Sequence, residues 1–304
     1  MGYLVTCLGI LLLIDLYSQV NRDIILSALV YIFRLMVYIN FLLMIVYPDG
    51  VYTVNDIYSS AVTRYNFLGL DNQTGPYFIL LMTLSLCRQY TRGSRINVLC
   101  KTDIVICIIS ILFLWSATAV VGLIIFLAFI LLISKNKHLA NLRTSYLIIG
   151  LLFVIVVIFQ ATTMLKPIFE GLLNKDVTLT GRTFIWKEAI SMIILKPILG
   201  YGIQDSPNLV YFFIYQDFRT AHNEYLQVWL QGGIGCVLIL IAQLSRVRRV
   251  ISQSGYQDKS SLILRGGIVT ILVMMLTESY GQMLVFYVLI FYTYFHHRHY
   301  LIRT

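Results

Sequence analysis

Long apolar runs recur along almost the whole chain, and they constrain its fold more than any other feature. A bilayer core needs about 20 apolar residues per helix, and fewer where flanking side chains reach the interface. Hydrophobic residues make up 59% of the 304 residues and charged residues only 12%, whereas soluble domains carry about 25% charged residues. These values exclude an ordinary soluble domain and predict an integral membrane protein.

The apolar runs predict an all-α integral membrane protein with about nine transmembrane helices in a single polytopic domain, residues 1–304. The predicted spans are 3–20, 24–47, 76–90, 99–115, 117–134, 145–163, 223–244, 262–278 and 281–295. The run from 103 to 133 is too long for one helix, so we divide it at Trp115-Ser116 into a helical hairpin. No early segment has the basic start of a cleaved signal peptide.

Basic residues set the predicted orientation, because cytoplasmic loops are enriched in lysine and arginine. One side of the predicted membrane collects 15 basic and 3 acidic residues, and the other side 7 basic and 9 acidic residues. The side with more basic residues is therefore predicted to be cytoplasmic, and it includes the C-terminus. The N-terminus is predicted outside, which would also result if an odd number of helices preceded it. The net charge of +9 thus reports orientation and does not support a nucleic-acid partner.

Two predicted extracytoplasmic loops are long, residues 48–75 and residues 164–222. Long loops in compact structures are usually functional, so we expect the active site in the larger loop, just before a late span. The five cysteines lie in or beside spans, which gives neither a disulfide framework nor a metal-binding pattern. The cluster His296-His297-Arg298-His299 is interpreted as a basic tail at the membrane edge in preference to a weak metal site.

His222 and Arg182 are the strongest candidates for chemistry in the larger loop. His222 is the only histidine on the outer side, and an imidazole that titrates near neutrality can act as a general base on a sugar hydroxyl. The alternative is a histidine that only anchors a helix end. Arg182 precedes a short apolar helix and the turn Gly200-Tyr201-Gly202. Its planar guanidinium suits phosphate oxygens, which helix N-termini also attract.

Other charged residues complete the set of candidates. Arg64 and Arg219 are each interpreted as solvated loop charges, yet together with Arg182 they can surround a pyrophosphate. Glu278 closes the eighth span, where it either orients a base or is an interfacial charge. Arg34 lies inside the second span, where an ion is costly. Two interpretations stay open for it, a structural pair with Asp15 of the neighbouring span and a role in transport.

Three short motifs follow one another between about residues 180 and 235. They are Thr180-Gly181-Arg182-x-x-x-Trp186, then Pro197-x-x-Gly200-x-Gly202, then His222-Asn223-x-Tyr225-Leu226 with Gly232-Gly233-x-Gly235. Their order, spacing and sidedness resemble the bacterial O-antigen ligase and polysaccharide polymerase superfamily (Wzy-type). Many members carry a Ser-Arg pair at the hairpin, where this chain has Ser116-Ala117, so the arginine that the resemblance implies as a phosphate contact is replaced by alanine here.

The resemblance implies a multi-span, GT-C-like, inverting glycosyltransferase of the bacterial cytoplasmic (inner) membrane that uses no metal and no cofactor. The donor would be an oligosaccharide on undecaprenyl pyrophosphate at the outer face. By this analogy His222 assists deprotonation of the acceptor, while Arg182 and the other two outer arginines hold the pyrophosphate. Contacts to the pyrophosphate or glycan would also come from Asn223, Tyr225, Glu278 and Trp186.

Three functions remain open from the sequence. The first is a polysaccharide polymerase of capsule or O-antigen type, which moves the growing chain onto a lipid-linked repeat unit. The second is an O-antigen ligase, which moves the chain onto lipid A–core. The third is a lipid-linked oligosaccharide flippase, which should concentrate polar residues at mid-membrane. Since most ionisable residues lie in loops, the pattern favours chemistry at the outer face over transport. Other polysaccharide-assembly membrane proteins are candidate partners.

Overall fold

A computed structural model gives the structure of the chain. It describes residues 2–55, 62–93, 95–131, 135, 140–160, 182–203, 220–253, 259–281 and 283–303. The chain divides into two compact units. The first unit comprises Met1–Leu142, Ser245–Ile271 and Gln282–Thr304, and the second comprises Arg143–Leu244 and Leu272–Gly281.

Helices dominate the described part of the chain. They are α1 (Gly2–Val20), α2 (Arg22–Val46), α3 (Asp71–Thr91), α4 (Val98–Leu114), α5 (Ala117–Leu131), α6 (Leu142–Leu152), α7 (Arg182–Leu195), α8 (Glu224–Gln253), α9 (Lys259–Met274) and α10 (Leu284–Arg303). A π-helix, Phe153–Ile158, extends α6. Each of the nine predicted spans overlaps one of these helices. The additional helix, α7, is the short apolar helix expected inside the larger loop.

Only two of the described helices, Arg22–Val46 and Glu224–Gln253, combine the length and apolar composition that a membrane crossing requires. The segments Val5–Val20, Ala117–Leu131 and Leu142–Ile158 are apolar but shorter. The coarse prediction of a helical membrane protein is therefore supported. That each of the nine segments crosses the bilayer stays a prediction.

Capping residues define several helix ends in the first unit. Asn21 begins α2 by accepting hydrogen bonds at its side-chain oxygen from the amides of Asp23 and Ile24, and Asn97 caps α4 in the same way. Such caps satisfy amides that have no partner inside the helix. Helix α4 ends at Leu114, and Trp115 takes a left-handed conformation with φ of 47°. Helix α5 starts at Ala117, so the predicted hairpin break at Trp115-Ser116 is confirmed.

A small antiparallel sheet lies in the first predicted loop, where the apolar pattern predicted no regular structure. Its strands are β1 (Tyr52–Asn55), β2 (Val62–Asn66) and β3 (Gly69–Leu70), in that order. Tyr52 pairs with Tyr65 across β1 and β2, and their rings stack at 4.7 Å. Strands this short are set by local turns and cross-strand pairs, which a search for long apolar runs does not detect.

Arg34 pairs with Asp103, so the predicted pair with Asp15 is wrong. The guanidinium contacts both carboxylate oxygens at 2.7 Å, and Asp103 is completely buried. Tyr38 and Ser85 donate further hydrogen bonds to that carboxylate, at 3.0 and 2.5 Å. The buried charge is thus fully hydrogen-bonded, as burial requires. Asp103 comes from α4, which is distant from α2 in sequence, so proximity along the chain misled the prediction.

The two histidines at the end of the last span are buried in the structure. His297 is buried in α10, and its ring nitrogens lie 2.9 Å from the Ser261 hydroxyl and 2.9 Å from the Thr293 carbonyl. His296 is buried beside Tyr292. These two residues are therefore helix-packing groups of the first unit. Arg298, the next residue, is exposed, and a position of this cluster at the membrane edge stays a prediction.

Candidate functional site

The second unit is built on an apolar cluster that fixes helix α7 against the start of α8. Its buried members are Val157, Ile185, Trp186, Ala189, Ile193, Ala221, Leu226 and Leu230. Ile185, Ala189 and Ile193 are spaced four residues apart, so they share one face of α7. Because this face is buried, the first residue of the helix, Arg182, has a defined position.

The glycines of the sequence motifs allow two backbone segments to touch. The turn after α7 packs on the middle of α8, where the Tyr201 amide donates to the Leu230 carbonyl at 2.9 Å. Gly200 and Gly233 both take positive φ, 65° and 61°. A Cβ on Gly200 would lie 2.6 Å from the carbonyl oxygen of Gln231, and a Cβ on Gly233 would collide with the backbone of the turn. Glycine is therefore required at both positions because the two backbone segments lie so close together, and not only because a turn is formed.

His222 lies directly before α8 in a strained backbone conformation. Its φ is 44°, a left-handed value that costs a non-glycine residue on the order of 1 kcal/mol. The next residue holds this geometry. Asn223 is completely buried, accepts from the Leu226 amide at 2.9 Å and donates to the Leu276 carbonyl at 2.6 Å. The helix cap thus fixes the backbone that carries the imidazole.

Glu278 contacts both His222 and Arg182, the two strongest candidates from the sequence. Its Oε1 lies 2.8 Å from Nδ1 of His222, and its Oε2 accepts a hydrogen bond from Arg182 at 2.7 Å. The Glu278 side chain is only 3% exposed, while those of His222 and Arg182 are 24% and 18% exposed. One buried carboxylate therefore holds two partly accessible cationic or basic groups. Of the two roles considered for Glu278, the geometry favours orientation of a base.

This carboxylate also sets the tautomer of the imidazole. When Nδ1 of His222 donates to Glu278, the proton of a neutral ring lies on that nitrogen and Nε2 carries the lone pair. A carboxylate in this position also stabilises the imidazolium that forms when Nε2 takes a proton. The arrangement is therefore suited to general-base chemistry beside a guanidinium that can bind an anion.

Glu224 holds the segment that carries Glu278, a role that the sequence pattern did not indicate. The Glu224 amide donates to the Met275 carbonyl at 2.9 Å, and its carboxylate accepts from the amides of Tyr280 and Gly281 at 2.8 and 2.7 Å. Any Cβ on Gly281 would collide with that carboxylate. The available signal was an acidic residue in the first turn of an apolar helix, where an ion is costly unless it has partners.

The remaining predicted site residues of the second unit form contacts that stabilise its fold. Tyr225 donates its hydroxyl to the Leu272 carbonyl at 2.8 Å and packs edge-on against Phe153 at 5.7 Å. Trp186 is completely buried in the apolar cluster. Burial also raises the pKa of the Tyr280 phenol well above its usual range, because the charged form is poorly solvated. Direct contact of Tyr225, Asn223 or Trp186 with a glycan stays a prediction.

That the other two outer arginines help to hold the pyrophosphate stays a prediction. Arg64 belongs to the first unit, in β2, where its side chain is 55% exposed and lies 3.3 Å from Asp49. Arg219 lies outside the described residues, as does most of the predicted loop 164–222. Within that loop the structure describes residues 182–203 and 220–222. Within the described residues, no group of three or more His, Cys, Asp or Glu side chains could hold a metal ion.

Comparisons with known proteins agree with the motifs. Residues 104–241 match the model of the O-antigen ligase family. The exopolysaccharide production protein ExoQ of Rhizobium meliloti (strain 1021) is 25% identical over 138 residues, which covers 38% of this chain and 31% of that protein. The match therefore spans about a third of the length of the relative. No solved structure matches.

Proposed function

We propose that this chain, which falls in the O-antigen ligase and polysaccharide polymerase superfamily by its match over residues 104–241, is a polysaccharide polymerase. It transfers a growing glycan from undecaprenyl pyrophosphate to a lipid-linked repeat unit at the outer face of the bacterial cytoplasmic membrane. The observation that carries this proposal is the bridge from Glu278 to both His222 and Arg182.

In the proposed reaction, His222 acts as the general base. Its Nε2 takes the proton from a hydroxyl of the acceptor sugar, and the hydroxyl oxygen attacks the anomeric carbon of the donor. The bond from that carbon to the pyrophosphate oxygen breaks at the same time, and attack from the opposite face inverts the configuration. Glu278 stabilises the resulting imidazolium through Nδ1, as a carboxylate does in a catalytic dyad.

Arg182 is proposed to stabilise the leaving group. The pyrophosphate gains negative charge as the glycosidic bond breaks, and preorganised positive charge at that position lowers the barrier. Only one guanidinium nitrogen of Arg182 is engaged by Glu278, and the fork has five N–H donors in all. The side chain is 18% exposed. The carboxylate can therefore hold the guanidinium while other donors contact phosphate oxygens, and the reaction needs no metal or cofactor.

The ligase remains the second candidate, because transfer to lipid A–core would use the same step. The name of the similar ExoQ protein refers to exopolysaccharide production, which favours polymer synthesis. A flippase is less well supported, since a carboxylate in contact with both a base and a guanidinium is typical of a catalytic site. We further propose multi-pass insertion with a cytoplasmic C-terminus, and cooperation with other polysaccharide-assembly membrane proteins.

The decisive experiment is reconstitution of the purified chain in vesicles with an undecaprenyl-pyrophosphate-linked repeat unit, followed by gel analysis of glycan length. The parent chain should produce a ladder of products without lipid A–core. His222→Ala should abolish the ladder, while Lys187→Ala, on the exposed side of α7, should not. A product that appears only when lipid A–core is added would identify a ligase, and an unchanged ladder from His222→Ala would refute the proposed mechanism.

A further inference from the structure

Two arginines share one hydroxyl between helices α2 and α3 of the first unit. Ser27 Oγ accepts a hydrogen bond from Arg88 Nε at 3.0 Å and one from Arg92 at 3.2 Å. The arginines lie in the last turn of α3 and directly after it, and Ser27 lies in the second turn of α2. Two positive charges are thus held together near the predicted cytoplasmic ends of two spans.

The acidic side chains nearby do not balance both charges. Arg92 lies 3.4 Å from Asp23, and both side chains are nearly half exposed. Arg88 is buried at 9% exposure, and its contacts are the neutral Ser27 and the ring of Tyr31 at 5.2 Å. No carboxylate of the described residues forms an ion pair with Arg88. A buried guanidinium without a negative partner is unusual.

Arg34 provides an internal comparison. It lies over the same Tyr31 ring, at 5.4 Å, and it is neutralised by the two oxygens of Asp103. The two arginines at this ring therefore differ in their partners, since Arg34 has a buried carboxylate and Arg88 has none among the described residues. Tyr31 is itself 53% exposed, so the side of α2 next to Arg88 opens onto the surface that a bilayer would cover.

We propose that Arg88, Arg92 and Ser27 bind the phosphate of an anionic phospholipid headgroup. Paired guanidinium groups match phosphate oxygens in geometry and charge, and the serine hydroxyl can turn to donate to the same phosphate. Basic pockets between helices on the cytoplasmic side are suited to anionic headgroups. The bound lipid supplies the negative charge that Arg88 lacks. This site lies in the first unit and does not depend on the proposed glycosyl transfer.

The test is a binding measurement on the full chain in detergent, with fluorescent phosphatidylglycerol as the probe and phosphatidylcholine as the zwitterionic comparison. The parent chain should prefer phosphatidylglycerol. Arg88→Gln and Arg92→Gln should each weaken that binding about tenfold, the usual effect of losing a charged hydrogen bond. Arg298→Gln, which removes an exposed arginine from α10 of the same unit, is the matched control and should leave the affinity unchanged.

Several results would overturn the proposal. They are equal affinity for the two lipids, parent-like affinity in Arg92→Gln, or an equal loss in Arg298→Gln. Inorganic phosphate that displaces the probe at the concentration at which phosphatidylglycerol itself does so would identify a site for free phosphate instead. Arg92 is 41% exposed, so its substitution should preserve the fold even if Arg88→Gln does not accumulate. Ser27→Ala keeps both charges and should show a smaller loss than either arginine variant.

Discussion

Glu278 Oε1 lies 2.8 Å from Nδ1 of His222, although 56 residues separate them in sequence. The same carboxylate reaches Arg182, which is 96 residues away, through its second oxygen. This single buried side chain thus brings together the proposed base and the proposed anion-binding group.

Glu278→Gln should reduce glycan transfer about a hundredfold or more. The amide cannot stabilise an imidazolium as a carboxylate does, and general-base catalysis contributes about 10²–10⁴-fold. Initial rates of chain elongation at saturating donor measure this effect. Thr277→Ala, at the neighbouring position, is the control and should remain active. A Glu278→Gln variant with the parent rate would show that His222 needs no carboxylate.

Arg182→Lys should lose most of its activity even though the charge is kept. Lysine offers a point charge in place of a planar fork, so it cannot contact Glu278 and a phosphate in the same way. We expect a loss of about 10²–10³-fold in turnover, comparable to removal of one preorganised donor. Separate measurement of turnover and of KM for the lipid-linked donor checks this. A change confined to KM would assign Arg182 to ground-state binding only.

Glu224→Ala should destabilise the second unit and also slow catalysis. The substitution leaves the buried amide of Tyr280 and the partly buried amide of Gly281 without their acceptor, and each such loss costs about 1–3 kcal/mol. Glu224→Gln keeps an oxygen acceptor, so it should recover much of the stability and rate. Thermal unfolding in detergent and elongation rates measure the two effects. Identical behaviour of the two variants would contradict the proposed hydrogen-bond role.

Gly233→Ala should disrupt the contact between the turn after α7 and helix α8. The added methyl group collides with the backbone of that turn, and the residue already has a positive φ. Since backbone cannot move aside as a side chain can, we expect destabilisation of more than about 2 kcal/mol. Gly235→Ala is the matched control, because a Cβ there meets nothing within 4 Å. Equal melting temperatures for the two variants would exclude the close approach.

Asp103→Asn should destabilise the first unit by about 3–5 kcal/mol, because Arg34 would then lose its buried negative partner. Asp15→Asn should have a much smaller effect, since Asp15 accepts a hydrogen bond from Gln19 in an exposed setting. Thermal unfolding of the two variants compares the observed pair with the pair expected from sequence. A larger effect at Asp15 would favour the sequence-based pairing.

The sequence predicted the helical membrane class and the resemblance to the O-antigen ligase family that residues 104–241 bear out, because both depend on local patterns. Apolar runs follow from the composition of each segment, and a described helix overlaps each predicted span. The hairpin break at Trp115-Ser116 and the short helix after Arg182 were predicted from the same kind of signal. The three-stranded sheet between Tyr52 and Leu70 was missed, since strands so short depend on pairing between segments that no single run reveals.

Only the tertiary structure decided which charged side chains meet. His222, Arg182 and Glu278 were each candidates in the sequence, but their contact depends on how Glu224 holds the segment that follows α9. The partner of Arg34 was likewise decided by packing, which brought Asp103 to it in place of Asp15. The physical reason is that a buried charge is stabilised by whichever partner the fold places within hydrogen-bonding distance. That distance is independent of separation along the chain.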